Sequence, residues 1–166
     1  MTTINPFTTT RIFNAPRQLV WDAWTTQEHL QKWFTPPAFG GGKSELDFRP
    51  GGTYHYSMIT PDGQTWWGKW IFQEIHPIDS MTIITAFSDE AGGIHRHPLA
   101  ENWPLRTLSV STFEDMGDKT KLTLNWQPYE ATDEEIEAFN SAHDSMNQGW
   151  SGTMAQLDEY LTSIQS

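Results

Sequence analysis

The chain has 166 residues, of which 37% are hydrophobic and 19% charged, so we expect residues 1–166 to form a single folded domain. The formal net charge of −11 argues against nucleic acid or an anionic membrane as partner, because both favour basic protein surfaces. The chain has no cysteine, which excludes disulfides, thiolate nucleophiles and cysteine-based zinc sites.

The N-terminal part of the sequence predicts a strand followed by two short helices. β-Branched and aromatic residues in FTTTRIFNAP favour a strand that ends at Asn14 and Pro16. Asn14 can cap a helix over APRQLVWDAWT, with Pro16 in its first turn, and Thr26 can cap a second helix over QEHLQKWF. The stretch TPPAFGGGKS then predicts a loop, because its prolines and glycines interrupt helices.

From Ser44 onward, apolar residues recur with the two-residue period of β-strands. Six predicted strands follow one another, with the sequences SELDFR, TYHYSMIT, QTWWGKWIFQEI, MTIITAFSD, PLRTLSVSTFED and KTKLTLNWQP. Most of the connections are short turns, which imply antiparallel pairing because parallel strands need long crossovers. In the third of these strands, strict alternation places Glu74 on the same face as Trp70 and Phe72.

The C-terminal part predicts one long amphipathic helix. Thr132 and Glu135 have the spacing of a capping box, and apolar residues then recur at three- and four-residue steps. His143 and Trp150 share this stripe, which must be buried against the apolar face of the sheet. The predicted fold is therefore α+β, with a curved antiparallel sheet of six to seven strands around a long C-terminal helix and two short helices after the first strand.

Two glycines, Gly149 and Gly152, interrupt this predicted helix at a cost of about 1 kcal/mol each relative to alanine. One interpretation is that they let the helix approach the sheet or a ligand closely. The alternative is that they merely make room for neighbouring tryptophan side chains.

These elements resemble the START-like helix-grip superfamily (SRPBCC), in the branch named after the activator of heat-shock-protein ATPase. The resemblance extends from Phe7 to Ile164. Within this branch, the chain is similar to a bacterial subgroup of stand-alone domains. It rests on RIFNAPRQLVWDAWTTQEHLQKWF, LDFRPGGTYHYSM, WWGKWIFQEIHP, FSDEAGGIHRHP, NWPL and HDSMNQGWSGTMAQLDEYL. It implies a helix-grip fold with a deep cavity for apolar or aromatic small molecules, without implying one activity.

The side chains predicted to face the sheet–helix cavity are mostly aromatic, with a few polar atoms that could orient a ligand. The predicted ligand-binding residues are Tyr54, Tyr56, Met58, Trp66, Trp70, Phe72, Trp126, His143, Met146 and Trp150. The alternative is that these side chains fill the core completely.

Acid–base chemistry in the cavity would need a proton donor and acceptor on facing elements. Glu74 on the sheet and His143 on the helix are the candidate catalytic residues, because a carboxylate and an imidazole can tune each other's pKa. The alternative is that Glu74 meets solvent and that His143 is a hydrogen-bonded structural residue.

A metal site is a weaker alternative in FSDEAGGIHRHP. His95 and His97 are two residues apart in an extended segment, and Asp89 or Glu90 could complete a set of three ligands. The same connection could instead act as a lid or a subunit contact. We expect no cofactor.

Three functions follow from this sequence. The first is binding of a small hydrophobic or aromatic molecule, the second is a cyclase- or hydrolase-like enzyme that uses the same cavity, and the third is a co-chaperone-like module. Trp67 and Trp103 are expected to be exposed, on an edge strand and a loop, which would favour a homodimer. The N-terminus lacks the pattern of a signal peptide, which favours a cytoplasmic location without a membrane partner.

Overall fold

One antiparallel sheet and four helices form an α+β fold in the computed structural model, which describes residues 2–35, 38–98 and 100–165. The strands are β1 (Phe7–Phe13), β2 (Gly40–Leu46), β3 (Thr53–Ile59), β4 (Thr65–His76), β5 (Ser80–Ser88), β6 (Ile94–His95), β7 (Thr107–Met116) and β8 (Lys119–Pro128). The helices are α1 (Arg17–Thr25), α2 (Gln27–Trp33), α3 (Asp133–Asn140) and α4 (His143–Ile164). The predicted fold class is confirmed.

The strand order in the sheet is β1-β8-β7-β5-β4-β3-β2, and the short β6 pairs with β5. All pairs are antiparallel, as the short turns predict. Side chains from one face of this sheet form a core with the helices, because α1 contacts β7 and β8, and α4 contacts β1, α1 and α2. Fully buried aromatic side chains such as Trp24, Trp33 and Phe113 each stabilise this core by roughly 1.5–3 kcal/mol.

Strand β2 begins earlier than the sequence predicts, within the glycines of the expected loop. The register between β2 and β3 shifts between Gly41 and Ser44, as at a β-bulge. A Cβ at Gly42 would lie 2.8 Å from the Ser57 carbonyl oxygen, so the absence of a side chain lets the two strands approach. Pro36 and Pro37 of the expected loop lie outside the described residues.

The predicted C-terminal helix is divided into two helices. Its capping box is confirmed, because Glu135 N–H donates to Thr132 Oγ1 at 3.2 Å and Thr132 N–H donates to Glu135 Oε1 at 2.9 Å. Ala142 is not helical and its N–H donates to Phe139 O, only three residues back. Among the described helices, none combines the length and apolar character needed to cross a membrane.

The long helix α4 does not pack closely against the protein at Gly149, so close approach to the sheet is a wrong interpretation for this residue. A Cβ built at Gly149 meets no described atom within 4 Å outside the local backbone. Replacing Gly149 with alanine is expected to raise the free energy of unfolding by about 1 kcal/mol, because alanine favours helix and meets no obstacle. Urea denaturation followed by circular dichroism measures this change.

The matched control is Gly63→Ala, in a turn where a Cβ also meets no atom but φ is +88°. Alanine is strained in this left-handed conformation, so the control is expected to lose about 1 kcal/mol. An unchanged or lower stability of Gly149→Ala would contradict the prediction.

Candidate functional site

A cleft lies between the inner face of the sheet and α4, bordered by the segment that joins β6 to β7. Its inner chamber has a volume of about 290 Å³ and is lined by side chains from β3, β4, β5, β7, β8 and α4. An outer chamber of about 420 Å³ lies between α4 and the β6–β7 segment. The two chambers are parts of one cleft, because they share the lining residues Phe34, Met58, His97, Trp103, Trp126 and Trp150.

Indole rings dominate the wall of the inner chamber. Six of the nine tryptophans of the chain place their rings along it: Trp24, Trp66, Trp70, Trp103, Trp126 and Trp150. Trp24 stacks nearly parallel to Trp70 and to Trp150, with ring centroids 6.2 Å and 6.4 Å apart. Trp126 meets Trp150 edge-on at 6.3 Å, so the chamber presents both ring faces and ring edges.

The part of β7 that faces the inner chamber carries small hydroxyl side chains and no large apolar ones. Thr107, Ser109 and Ser111 follow one another at the two-residue period of the strand and line the chamber. The hydroxyls of Thr85 and Thr107 are hydrogen-bonded to each other across β5 and β7. These short side chains leave the space that larger residues would fill.

Two buried polar atoms, on side chains that line the inner chamber, have no hydrogen-bond partner among the described residues. They are the indole Nε1 of Trp24 and the hydroxyl Oγ of Ser111. Both side chains are almost fully buried, at 2% and 1% exposure. Buried polar groups in proteins are nearly always paired, so these two atoms are the ones for which a bound molecule could supply a missing partner.

The cleft carries no fixed charge. None of its described lining residues is Lys, Arg, Asp or Glu. Burial lowers the pKa of His97, which favours a neutral imidazole at neutral pH. Burial likewise raises the pKa of Tyr56 above its usual value, so its phenol stays protonated.

The β6–β7 segment is held over the cleft by Glu135 of α3. The Glu135 carboxylate accepts hydrogen bonds from the Arg96 guanidinium and, at 3.2 Å, from the Leu105 N–H. Arg96 also donates to the Trp103 carbonyl oxygen at 3.3 Å. These bonds place His97 against the Phe87 ring, with centroids 4.6 Å apart, and Trp103 against Phe139.

The sequence from residue 14 to residue 162 matches the family model described as Activator of Hsp90 ATPase homolog 1-like protein. The chain belongs to this family. Among curated proteins, none matches the chain.

Several solved structures share the fold of this chain. A Mycobacterium smegmatis protein is 24% identical and has a TM-score of 0.73, with 95% of this chain and 94% of that chain covered. An Arthrobacter aurescens protein is also 24% identical, with a TM-score of 0.75 and coverage of 97% and 91%. The AHSA1 protein of Silicibacter pomeroyi is 15% identical, with a TM-score of 0.73 and coverage of 96% and 99%. At these identities the similarity shows the fold alone.

The structure of this family member brings most of the predicted ligand-binding residues together. The inner chamber is lined by Tyr56, Met58, Trp66, Trp70, Trp126 and Trp150, and Met146 lines the outer chamber. Tyr54 and Phe72 are instead buried in the core beside Trp70, outside both chambers. Burial raises the pKa of Tyr54 to about 12.

A β-bulge in β4 places Glu74 on the outer face of the sheet. Phe72 faces the core and pairs with Ile83, but the register shifts between Phe72 and Glu74. One extra residue reverses the alternation, so Ile75 continues the buried face. Glu74 is exposed, with its carboxylate 3.9 Å from His76 Nε2. The predicted face of Glu74 is therefore wrong.

His143 lies at the start of α4, outside both chambers. Its Nε2 lies 2.9 Å from the carbonyl oxygen of Asn5, and its ring packs edge-on against Phe7 and Phe139. The structure therefore places His143 in a hydrogen-bonded structural position and does not bring it together with Glu74.

The two histidines of the suggested metal site face different surroundings. His95 Nε2 lies 2.6 Å from Asp89 Oδ2 on the surface. A hydrogen bond from the Gly93 N–H and the contact with His95 hold the pKa of Asp89 below its usual value. His97 instead lines the cleft, and no cluster of three metal-ligating side chains occurs in the described parts of the chain.

Two tryptophans expected to be exposed are half-buried in contacts within the chain. Trp67 lies on β4, an interior strand, and stacks on His55 with ring centroids 4.8 Å apart. Trp103 contacts Trp126 and lines both chambers. The expected exposure of both side chains is wrong, which removes the reason given for a homodimer.

Sequence reasoning missed the contributions of α1 and of β7 to the cleft, and it suggested only a lid or a subunit contact for the connection that contains the β6–β7 segment. The alternating Thr107, Ser109 and Ser111 were a usable signal, because small hydroxyl residues occupy inward positions of a central strand. Leu99 of the β6–β7 segment lies outside the described residues.

Proposed function

We propose that this protein binds one small, largely apolar aromatic molecule in the cleft. The observation that carries this proposal is the inner chamber lined by six indole rings that do not fill it. Its volume of about 290 Å³ is near the lower end of the range of small-molecule sites. Flat aromatic walls favour a flat aromatic ligand, through stacking and edge-to-face contacts.

The geometry supports binding better than acid–base catalysis. The carboxylate and imidazole suggested by the sequence, Glu74 and His143, lie outside the cleft. Among the described lining residues, His97 and Tyr56 are the groups that could exchange a proton, and burial keeps both in their neutral forms. The co-chaperone alternative is supported by the family name alone, and a pull-down with purified Hsp90 tests it.

Fluorescence titration with the uncharged probe N-phenyl-1-naphthylamine tests the proposed site. The probe is expected to bind the wild-type protein with one-to-one stoichiometry. Ser109→Leu is expected to weaken binding at least tenfold, because Ser109 lines the inner chamber beside Ile83 and Trp126 and the larger side chain occupies the same space.

Val110→Leu is the matched control for this titration. Val110 is the next residue of β7 and points to the opposite face of the sheet, so its enlargement leaves the chamber unchanged. The proposed site would be contradicted if Ser109→Leu bound the probe as tightly as Val110→Leu does.

A further inference from the structure

One side chain that lines the inner chamber carries an unpaired donor, the indole N–H of Trp24. Rings surround Trp24 on several sides, and its ring centroid lies 4.8 Å from that of Trp33 and 6.3 Å from that of Phe113. Its N–H therefore has little freedom to turn towards another partner. Trp33 offers a direct comparison, because its Nε1 donates to the Ala23 carbonyl oxygen at 2.9 Å. One buried indole N–H is therefore satisfied within the protein, and the other is not.

The hydroxyl of Ser111 is a second polar atom on the same chamber. It is buried on β7, between Met81 and Leu124 of the neighbouring strands, and has no partner in the described parts of the chain. A hydroxyl can donate or accept, whereas an indole N–H can only donate. A ligand that satisfies both atoms must therefore carry at least one hydrogen-bond acceptor.

The uncharged lining of the cleft also limits the charge that a ligand can carry. A charged group buried in an apolar chamber needs a counter-charge or several hydrogen bonds, and no described lining residue is acidic or basic apart from His97. An anion would also meet the overall charge of −11. The buried part of the ligand is therefore uncharged.

We propose that the cleft selects a neutral aromatic molecule with a carbonyl-type acceptor, which receives a hydrogen bond from Trp24 Nε1 and meets the Ser111 hydroxyl as a second polar contact. This inference rests on the proposed function and names the chemical class of the ligand. It makes Trp24 and Ser111 specificity-determining residues rather than members of a passive apolar wall.

Three naphthalene probes of similar shape test this selection by isothermal titration calorimetry. They are 2-acetylnaphthalene, which carries a ketone, 2-ethylnaphthalene, which lacks an acceptor, and 2-naphthoate, which is an anion. The ketone is expected to bind about tenfold more tightly than the ethyl compound, the ratio that one hydrogen bond to a buried donor supports. The anion is expected to bind at least about tenfold more weakly than the ketone.

Two variants assign the preference to its atoms. Trp24→Phe retains an aromatic ring without the N–H and is expected to reduce the ketone-to-ethyl ratio to about twofold or less, and Ser111→Ala is expected to reduce it to about threefold. Trp33→Phe is the matched control, because it removes an indole N–H that is already paired and lies outside the cleft, so the tenfold ratio is retained. Ser111→Ala alone decides the question if Trp24→Phe does not fold.

The outcomes separate this inference from the proposed function. If the ketone and the ethyl compound bind equally well, the inference is overturned while small-molecule binding stands. An unchanged ratio in Trp24→Phe or in Ser111→Ala, or tight binding of 2-naphthoate, also overturns the inference. If none of the three probes binds, both the inference and the proposed function fail.

Discussion

Replacing Gly68 with alanine is expected to lower the free energy of unfolding by about 3 kcal/mol and to reshape the inner chamber. Gly68 lies in the middle of β4, directly opposite Tyr56 on β3. A Cβ at this position would lie 2.4 Å from both Cζ and Oη of Tyr56. Phe34, edge-on with ring centroids 5.2 Å apart, and Tyr54, stacked at 5.0 Å, confine the tyrosine ring on two sides, so it can withdraw only into the inner chamber.

The cost of Gly68→Ala depends on the Tyr56 ring, so a double-mutant cycle tests the cause. In a Tyr56→Val background the obstructing ring is absent, and Gly68→Ala is then expected to cost less than about 0.5 kcal/mol. Urea denaturation followed by circular dichroism gives the four stabilities. The affinity for N-phenyl-1-naphthylamine shows whether the shape of the inner chamber has changed. An equal cost in both backgrounds would show that the steric explanation is wrong.

The sequence contains enough information to predict the order of the elements. Alternating apolar residues in six successive strands and the capping box of Thr132 and Glu135 correspond to features that the structure confirms. These signals are local, because each depends on spacing within one strand or one helical turn. The same local signals identify most aromatic residues of the cleft, including Trp66, Trp70 and Trp126.

Features that depend on long-range pairing could not be predicted in this way. The bulge before Glu74 is visible only in the register between β4 and β5, since the sequence alternates regularly up to that residue. His143 lies on the apolar stripe of the helix, but its hydrogen-bond partner is Asn5, 138 residues away. Trp103 lies in a loop, and its position over the cleft depends on the contact of Arg96 with Glu135, 39 residues away in sequence.

Replacing Glu135 with alanine is expected to lower the free energy of unfolding by about 3 kcal/mol, because one buried carboxylate serves two parts of the fold. It completes the capping box of α3 by accepting from Thr132 N–H, and it holds the β6–β7 segment through Arg96 and Leu105. Glu135→Gln keeps an acceptor for the capping box and is expected to lose about half as much. The loosened segment is also expected to weaken binding of the naphthylamine probe.

The charge of Glu135 makes part of this stability depend on pH. Burial raises the pKa of this carboxyl, but hydrogen bonds from Arg96, Thr132 and Leu105 outweigh that effect and hold it below its usual value. A carboxyl group whose pKa is lower in the folded state stabilises the fold above its unfolded-state pKa. This contribution is lost as the pH falls through the ordinary pKa of glutamate, about 4.3, towards the lower folded value. The stability difference between wild type and Glu135→Gln should therefore be constant near neutral pH and shrink in acid.

Glu134→Ala is the matched control, because Glu134 is the exposed neighbour of Glu135 in the first turn of α3. Its interaction with the helix dipole is worth only about 0.5 kcal/mol, so its replacement should leave both the probe affinity and the acid dependence nearly unchanged. Denaturant unfolding of the three variants and the wild type between neutral and acid pH measures these differences. A Glu135→Ala variant as stable as Glu134→Ala, with the same probe affinity, would mean that the β6–β7 segment is held over the cleft by its aromatic contacts and not by this carboxylate.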